Sequence, residues 1–318
     1  MKWIKLTIDT TTEAVDYISD MLTELGIEGI EIEDNVPLTE SETKGMFIDI
    51  LPELPPDEGK AKVSCYLEMD VDIEALKKQI EEGLNEWRAF VNIGSGEITI
   101  SETEDKDWMN NWKQFFKPFT VDDILIKPTW EEIPEGMEGK LLVEIDPGTA
   151  FGTGSHETTQ LCIRQLQKYL KKGDKLLDVG TGSGILAITA CKLGAGSAFG
   201  TDLDEFAVEA AIENVEVNHI SKDTVKIITG DIIGDKAVQD EAGYECYDIA
   251  VANILAPVII ALQGEIARHL KPGAIFITSG IINTKEEDVK AAFEANDEFE
   301  LVEITRQNDW VSVTVRKK

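Results

Sequence analysis

Lys175-Leu-Leu-Asp-Val-Gly-Thr-Gly-Ser-Gly-Ile-Leu-Ala-Ile-Thr189 reads as a buried strand, a glycine turn and a helix. Leu176 to Val179 is an apolar run of strand length. Gly180, Gly182 and Gly184 make the turn, and Ile185, Leu186, Ile188 and Ala190 begin an amphipathic helix. A glycine turn between strand and helix lets the backbone approach a ligand where a Cβ would collide. The free N–H groups of the helix start then face that ligand.

Downstream, strand and helix patterns alternate. Strands are predicted at Ala198–Leu203, Val225–Thr229, Ile249–Asn253 and Ile275–Ser279. Helices are predicted around Phe206–Val217, near Asp235, at Val258–Leu270 and at Lys285–Ala295. Two late strands, Phe299–Gln307 and Trp310–Arg316, are joined by Asn308-Asp309, a hairpin-like turn. Such alternation implies a doubly wound, mainly parallel sheet. Ligands of such sheets sit at the carboxyl ends of the strands.

Upstream, residues 1–101 read as a separate α+β domain of order β-α-β-β-α-β, a ferredoxin-like arrangement. Its strands are predicted at Trp3–Ile8, Ile27–Ile32, Lys62–Met69 and Glu97–Ile100, and its helices at Thr12–Leu25 and Ile73–Trp87. Residues 34–60 are rich in Pro, Glu and Asp and read as a loop or insertion. Residues 102–119 carry Trp108, Trp112, Phe115 and Phe116 at helical spacing and read as a linker helix. The segment from 120 to 318 is the second domain. It opens with strand-like Val121–Lys127 and Leu141–Ile145. Then comes the glycine-rich stretch Asp146-Pro-Gly-Thr-Ala-Phe-Gly-Thr-Gly-Ser-His-Glu-Thr-Thr159. A helix is expected near His156, and the stretch either serves only to cap it, through Thr153 or Ser155, or forms a second loop over the ligand, with Phe151 and Thr159 facing it.

Composition narrows the partners. The 318 residues include 61 acids and 30 bases, net charge −31. Residues 1–100 already hold 23 acids against 8 bases, so the charge is not confined to one tail. Either this charge serves only solubility, or it selects partners, since a phosphate backbone is repelled by such a surface and a basic protein or a cation is drawn in. Cys65, Cys162, Cys191 and Cys246 form no C-x-x-C pair, which reads as a reduced cytoplasmic protein without a zinc site. The longest apolar run, Ile249–Leu262, contains Asn253 and Pro257 and is too short to span a bilayer.

The ligand follows from the partners of the glycine turn. A dinucleotide fingerprint needs a third glycine at position 185, where isoleucine stands, so a nicotinamide oxidoreductase is disfavoured. Asp202 ends the second strand of the sheet, where a carboxylate can take both hydroxyls of a ribose. Asp204 is the better helix cap. Asp231, with Ile232, either holds an adenine edge and face or lies in a solvated turn. Asn253, an uncharged amide at the end of the fourth strand, opens Asn-Ile-Leu-Ala. His156, His219 and His269 read as structural, the last two as helix-end residues.

Leu-Asp-Val-Gly-Thr-Gly-Ser-Gly, Thr-Asp-Leu-Asp and Val-Ala-Asn-Ile-Leu-Ala resemble class I S-adenosylmethionine-dependent methyltransferases. Trp108-Met-Asn-Asn-Trp-Lys, the Asp146–Thr159 stretch and the closing Asp309-Trp-Val are similar to the PrmA family, from about residue 105 onward. That family methylates the eleventh protein of the large ribosomal subunit. The resemblance implies a Rossmann-like methyltransferase domain with a terminal antiparallel hairpin, preceded by a substrate-recognition domain. It implies S-adenosylmethionine as cofactor, contacted at Thr159, Gly180, Asp202 and Asn253; the residue patterns above add Gly182, Phe151 and Asp231 as candidates beside them. It further implies methyl transfer to a lysine ε-amine or an N-terminal α-amine. Asn253's place at a strand end suggests that it orients the amine, an electrophilic sulfonium methyl needs no metal, and the acidic charge and short apolar run leave nucleic acid and membrane unexpected. A class I methyltransferase acting on another protein, RNA or a small-molecule amine is the alternative.

Overall fold

The computed structural model describes residues 2–27, 29–37, 54–68, 71–104, 116–146 and 155–318. The chain divides into two compact units, Met1–Phe115 and Phe116–Lys318.

In the first unit, β1 (Lys2–Thr10), α1 (Val15–Glu24), β2 (Ile30–Glu33), β3 (Ala61–Glu68), α2 (Ile73–Trp87) and β4 (Glu97–Glu104) follow in the expected order. The sheet runs β2-β3-β1-β4 with every neighbour antiparallel. Period-two alternation puts Leu6, Ile8, Val63 and Cys65 on one face, where Ile18, Leu22, Ile80 and Leu84 of the two helices cover them. Asp72 starts α2 by accepting the Ala75 N–H at 3.1 Å. The strand expected from Ile27 starts only at Ile30. Gly26, at φ +83°, ends α1, and Ile27 folds back so that its N–H reaches the Leu22 carbonyl at 3.0 Å. Its side chain is buried as part of the helix stop. The expected linker helix meets strand at both ends, since residues 102–104 continue β4 and Phe119 begins the next strand. Trp108, Trp112 and Phe115 lie outside the described residues.

The second unit opens with a small sheet of β5 (Phe119–Val121), β6 (Ile124–Lys127) and β7 (Leu141–Glu144), in that order. After α3 (Glu157–Tyr169) come β8 (Lys175–Val179), α4 (Ile185–Leu193), β9 (Ser197–Asp202), α5 (Glu205–Val217) and β10 (Val225–Thr229). Then follow α6 (Lys236–Ala242), β11 (Tyr247–Asn253), α7 (Ala256–His269), β12 (Leu270–Ile282), α8 (Glu286–Glu294), β13 (Phe299–Gln307) and β14 (Trp310–Lys317). These strands form a seven-stranded sheet, β10-β9-β8-β11-β12-β14-β13. It is parallel from β10 to β12, and β14 is antiparallel to both its neighbours.

Alternate residues of each central strand enter opposite cores, as a sheet covered on both faces requires. Leu176, Val251 and Ile277 pack with Leu166, Ile188 and Val208 of α3, α4 and α5. Leu177, Ala250 and Phe276 pack with Ile259, Ile266, Val289 and Phe293 of α7 and α8. The strand order reverses between β8 and β11, so the carboxyl ends of β8, β9 and β11 form the topological switch point.

His269 is the helix-end residue expected, but not as a charge. It closes α7 wholly buried, and burial pushes its pKa down, so its ring is neutral. Besides Arg268 in the last turn, Lys317 brings a cation to this helix end, its ammonium donating to the Ala267 and Leu270 carbonyls at 2.6 and 2.9 Å.

Candidate functional site

Three strand ends supply the site. Leaving β8, the chain turns on Gly180, Gly182 and Gly184, all at positive φ (71°, 54° and 79°), which L side chains adopt only under strain. The turn is anchored to β9, since the Gly180 and Thr181 N–H groups both donate to the Thr201 carbonyl, at 2.9 and 3.0 Å. A Cβ on Gly180 would stand 2.5 Å from Ile254 Cγ2. Across the sheet, a Cβ on Gly280, also at positive φ, would collide with the Ile254 backbone. Gly184 caps α4 without a side-chain acceptor, and the first turn of α4 has no acid. Within that turn the Ala187 N–H goes to the Asp178 carboxylate at 3.1 Å, and a helix start of this kind can offer its remaining donors to a ligand.

Asp202, the last residue of β9, lies against this turn. Its Oδ2 accepts from Gly182 N–H at 2.8 Å and its Oδ1 from Asp204 N–H at 3.1 Å. A carboxylate carries about four acceptor positions, so each oxygen keeps capacity for a hydroxyl donor. Asp204 caps α5 by accepting from Phe206 N–H at 2.9 Å, the separation of roles expected from the sequence.

At the end of β11, Asn253 Nδ2 donates to Thr159 Oγ1 at 3.1 Å. That bond fixes which way the carboxamide is turned and leaves Oδ1 as the acceptor. Thr159 is fully buried in the first turn of α3. The cap expected of Thr153 or Ser155 falls instead to His156, whose Nδ1 accepts from Thr158 N–H at 3.4 Å. Its ring stands edge-on to Trp310, centroids 4.8 Å apart. Thr153 and the candidate Phe151 lie outside the described residues.

Asp231 is exposed beyond β10, and its Oδ1 accepts from Ile233 N–H at 2.8 Å in a tight turn. The paired expectation for Ile232 fails, because that side chain is 2% exposed and belongs to the core under α7. The apolar surface at this rim comes from Leu203, 74% exposed and directly after Asp202. The strand prediction had placed Leu203 inside the sheet, whereas β9 stops one residue earlier.

Sequence reasoning also passed over Asp178. This carboxylate is fully buried in β8. Its Oδ2 accepts from Thr181 Oγ1 at 2.9 Å and from Ala187 N–H at 3.1 Å, tying the strand to both arms of the turn. Its Oδ1 has no hydrogen-bond partner among the described residues. Burial, helped by the nearby Asp202 charge, pushes its pKa up to about 7. The signal was a carboxylate inside an otherwise apolar strand.

That shift has a measurable consequence. The unfolded carboxyl titrates near 4 and the folded one near 7, so in between the folded chain holds the extra proton. Stability from this group is therefore greatest below about pH 4 and declines until about pH 7, by on the order of 4 kcal/mol at most. Asp178→Asn keeps an oxygen for the two donors and cannot ionise. The melting temperature of wild type minus that of Asp178→Asn should fall steadily from pH 4 to 7 and level off above. A difference independent of pH would contradict the burial argument.

Among the described residues, no group of three or more His, Cys, Asp or Glu side chains is placed to hold a metal ion, and no helix is long and apolar enough to cross a membrane.

The chain matches the family model for ribosomal protein L11 methyltransferase (PrmA) over residues 2–318, so the likeness extends through the N-terminal unit as well. It is 57% identical over 318 residues to the ribosomal protein L11 methyltransferase of Lachnospira eligens, covering all of both chains. It is 53% identical over 331 residues to the protein of that name from Lachnoclostridium phytofermentans, covering 100% of this chain and 99% of that one. Among solved structures, a ribosomal protein L11 methylase from Lactobacillus delbrueckii subsp. bulgaricus is 31% identical with a TM-score of 0.57, over 64% of this chain and 100% of that chain.

Proposed function

The chain belongs to the ribosomal protein L11 methyltransferase (PrmA) family, and from that premise we propose that it moves methyl groups from S-adenosylmethionine onto amines of ribosomal protein L11. Its second unit carries the Rossmann-like class I methyltransferase fold. The observation that carries the reading is the meeting of the glycine turn, Asp202 and Asn253 at one switch point of the sheet.

The residues fit an adenosylated cofactor. Gly180 and Gly182 hold positive φ that a side chain would strain, and a Cβ on Gly180 would also strike Ile254. Asp202 has acceptor capacity for two ribose hydroxyls, Leu203 offers apolar surface to the base, and Asp231 a carboxylate to its edge. The orphaned Oδ1 of Asp178 is an acceptor for a cationic donor beneath the turn. When bound, S-adenosylmethionine supplies an electrophilic methyl group on a sulfonium sulfur.

The protein's tasks are then to place the amine and keep it neutral. A lysine of pKa about 10.4 is uncharged about once in 2,500 times at pH 7, so about 4–5 kcal/mol must be offset. Desolvation lowers an amine's pKa, and an α-amine, with pKa about 7.7–8.0, starts closer to neutrality. Asn253 suits this work because its oxygen accepts a hydrogen bond without adding negative charge that would favour the ammonium. Its bond to Thr159 holds that oxygen in one orientation. The first unit is the recognition domain of this reading. With net charge −31, the acceptor is the basic protein met free of RNA, in the cytoplasm.

The test is to incubate the purified chain and S-adenosylmethionine with ribosomal protein L11, free or within the large subunit. The intact mass of the free protein should rise by whole methyl groups and that of the assembled protein by few or none. No mass change in either form would overturn the assignment, and faster modification of the assembled form would overturn the RNA-free acceptor.

A further inference from the structure

The glycine turn is gripped at three successive residues. Gly182 N–H donates to Asp202. The Ser183 carbonyl accepts from Asn214 Nδ2 at 2.9 Å. Gly184 lies so close to α5 that a Cβ there would stand 3.1 Å from Ala211 Cβ. Ala211 and Asn214 are three residues apart on α5, one face of that helix. Two of the three grips therefore come from one patch, and that patch follows directly in the chain from Asp202.

Asn214 is 1% exposed, and its carboxamide is fully used. Besides Ser183, Nδ2 donates to the Asp146 carbonyl at 3.1 Å, and Oδ1 accepts from Asp146 N–H at 2.9 Å. One turn further on, Asn218 treats Glu144 in the same way, with Oδ1 accepting from its N–H at 3.0 Å and Nδ2 donating to its carbonyl at 2.6 Å. Four residues of helix advance about 6 Å and two residues of strand about 6.6 Å, so the spacings agree. The two asparagines close the open edge of β7 much as another strand would. Only Asn214 also reaches the glycine turn.

We propose that Asn214 is a positioning residue for cofactor binding, fixing the Gly182–Gly184 backbone at the height where Asp202 and the turn serve one ligand together. The proposal rests on reading that turn as the S-adenosylmethionine site. Ser183 sits between two glycines that have no side chains, so at Gly182 and Gly184 the place of the turn depends on contacts to the backbone. Without the carboxamide donor, the Ser183 carbonyl loses that hydrogen bond and the Gly182 contact to Asp202 loosens with it. A shift of about 1 Å at such a site weakens function by up to about a hundredfold.

Asn218 is the built-in control, because its bonds dock the same helix on the same strand without touching the turn. Asn214→Ala, Asn214→Asp and Asn218→Ala are compared in the full chain, by calorimetric Kd for S-adenosylmethionine and by KM for each substrate. Asn214→Asp keeps the acceptor for Asp146 N–H and loses the donor to Ser183, in nearly the same shape. Both Asn214 variants should raise the cofactor Kd and KM about tenfold or more, with the KM for protein acceptor within about twofold. Asn218→Ala should lower the melting temperature and leave the cofactor Kd within about threefold.

Amide exchange in the wild type supplies an arm that needs no variant. Saturating S-adenosylmethionine should slow exchange at Asp146 N–H and leave Glu144 N–H unchanged. Asn214 variants that bind cofactor as Asn218→Ala does, or equal protection at both amides, would overturn the proposal. A wild-type chain that bound no S-adenosylmethionine would sink the reading of the site itself, which separates the two failures.

Discussion

Asp202→Ala should weaken S-adenosylmethionine binding by about two to four orders of magnitude. Two hydrogen bonds from ribose hydroxyls to a charged acceptor are worth about 1.5–3 kcal/mol each. Their loss alone gives about 3–6 kcal/mol, and each 1.4 kcal/mol is about a factor of ten. The same carboxylate also holds Gly182 N–H, so the substitution frees the turn that faces the ligand. Asp202→Asn retains an oxygen for one donor and should fall between the two. Calorimetry on folded protein decides the matter, and wild-type affinity in Asp202→Ala would mean that the ligand does not lie across the end of β9.

Asn253→Ala should show the opposite division. Cofactor affinity stays within about tenfold of wild type, while turnover falls by about a hundredfold or more through lost orientation of the amine. Asn253→Asp sharpens the test. Its carboxylate still accepts a hydrogen bond but stabilises the ammonium, so turnover stays low at neutral pH and recovers as pH rises. Unchanged turnover in Asn253→Ala would remove this residue from the reaction, and a flat pH response in Asn253→Asp would remove the argument about amine charge.

Much of the second unit was legible because its signals are local. The apolar runs of β8, β10 and β11 end at glycine, aspartate or asparagine, and the prediction that Asp202 and Asn253 terminate strands agrees with the fold. The caps at Asp204 and Asp235 mark the starts of α5 and α6. What escaped depends on partners distant in sequence. Asn214 and Asn218 are ordinary helix residues until β7, about seventy positions upstream, lies beside them. Asp178 became a buried carboxylate only when α4 and the sheet closed over it. His269 looked like a cation at a helix end, and burial beneath the domain made it neutral. Ile232 had the right neighbour for a base-stacking role, but the core under α7 claimed it.

Ile254 stands directly after Asn253 and is pinched between Gly180 and Gly280, with no room for a methyl group on either side. On the proposed reading, the methyl-receiving station is consequently an anvil rather than a jaw. Its asparagine is followed by a residue with no room to shift toward either glycine, so on that reading the travel under the hammer belongs to the acceptor. By the same token, tolerance of sequence drift should be least at positions 180 and 280, where a single added carbon displaces the anvil itself.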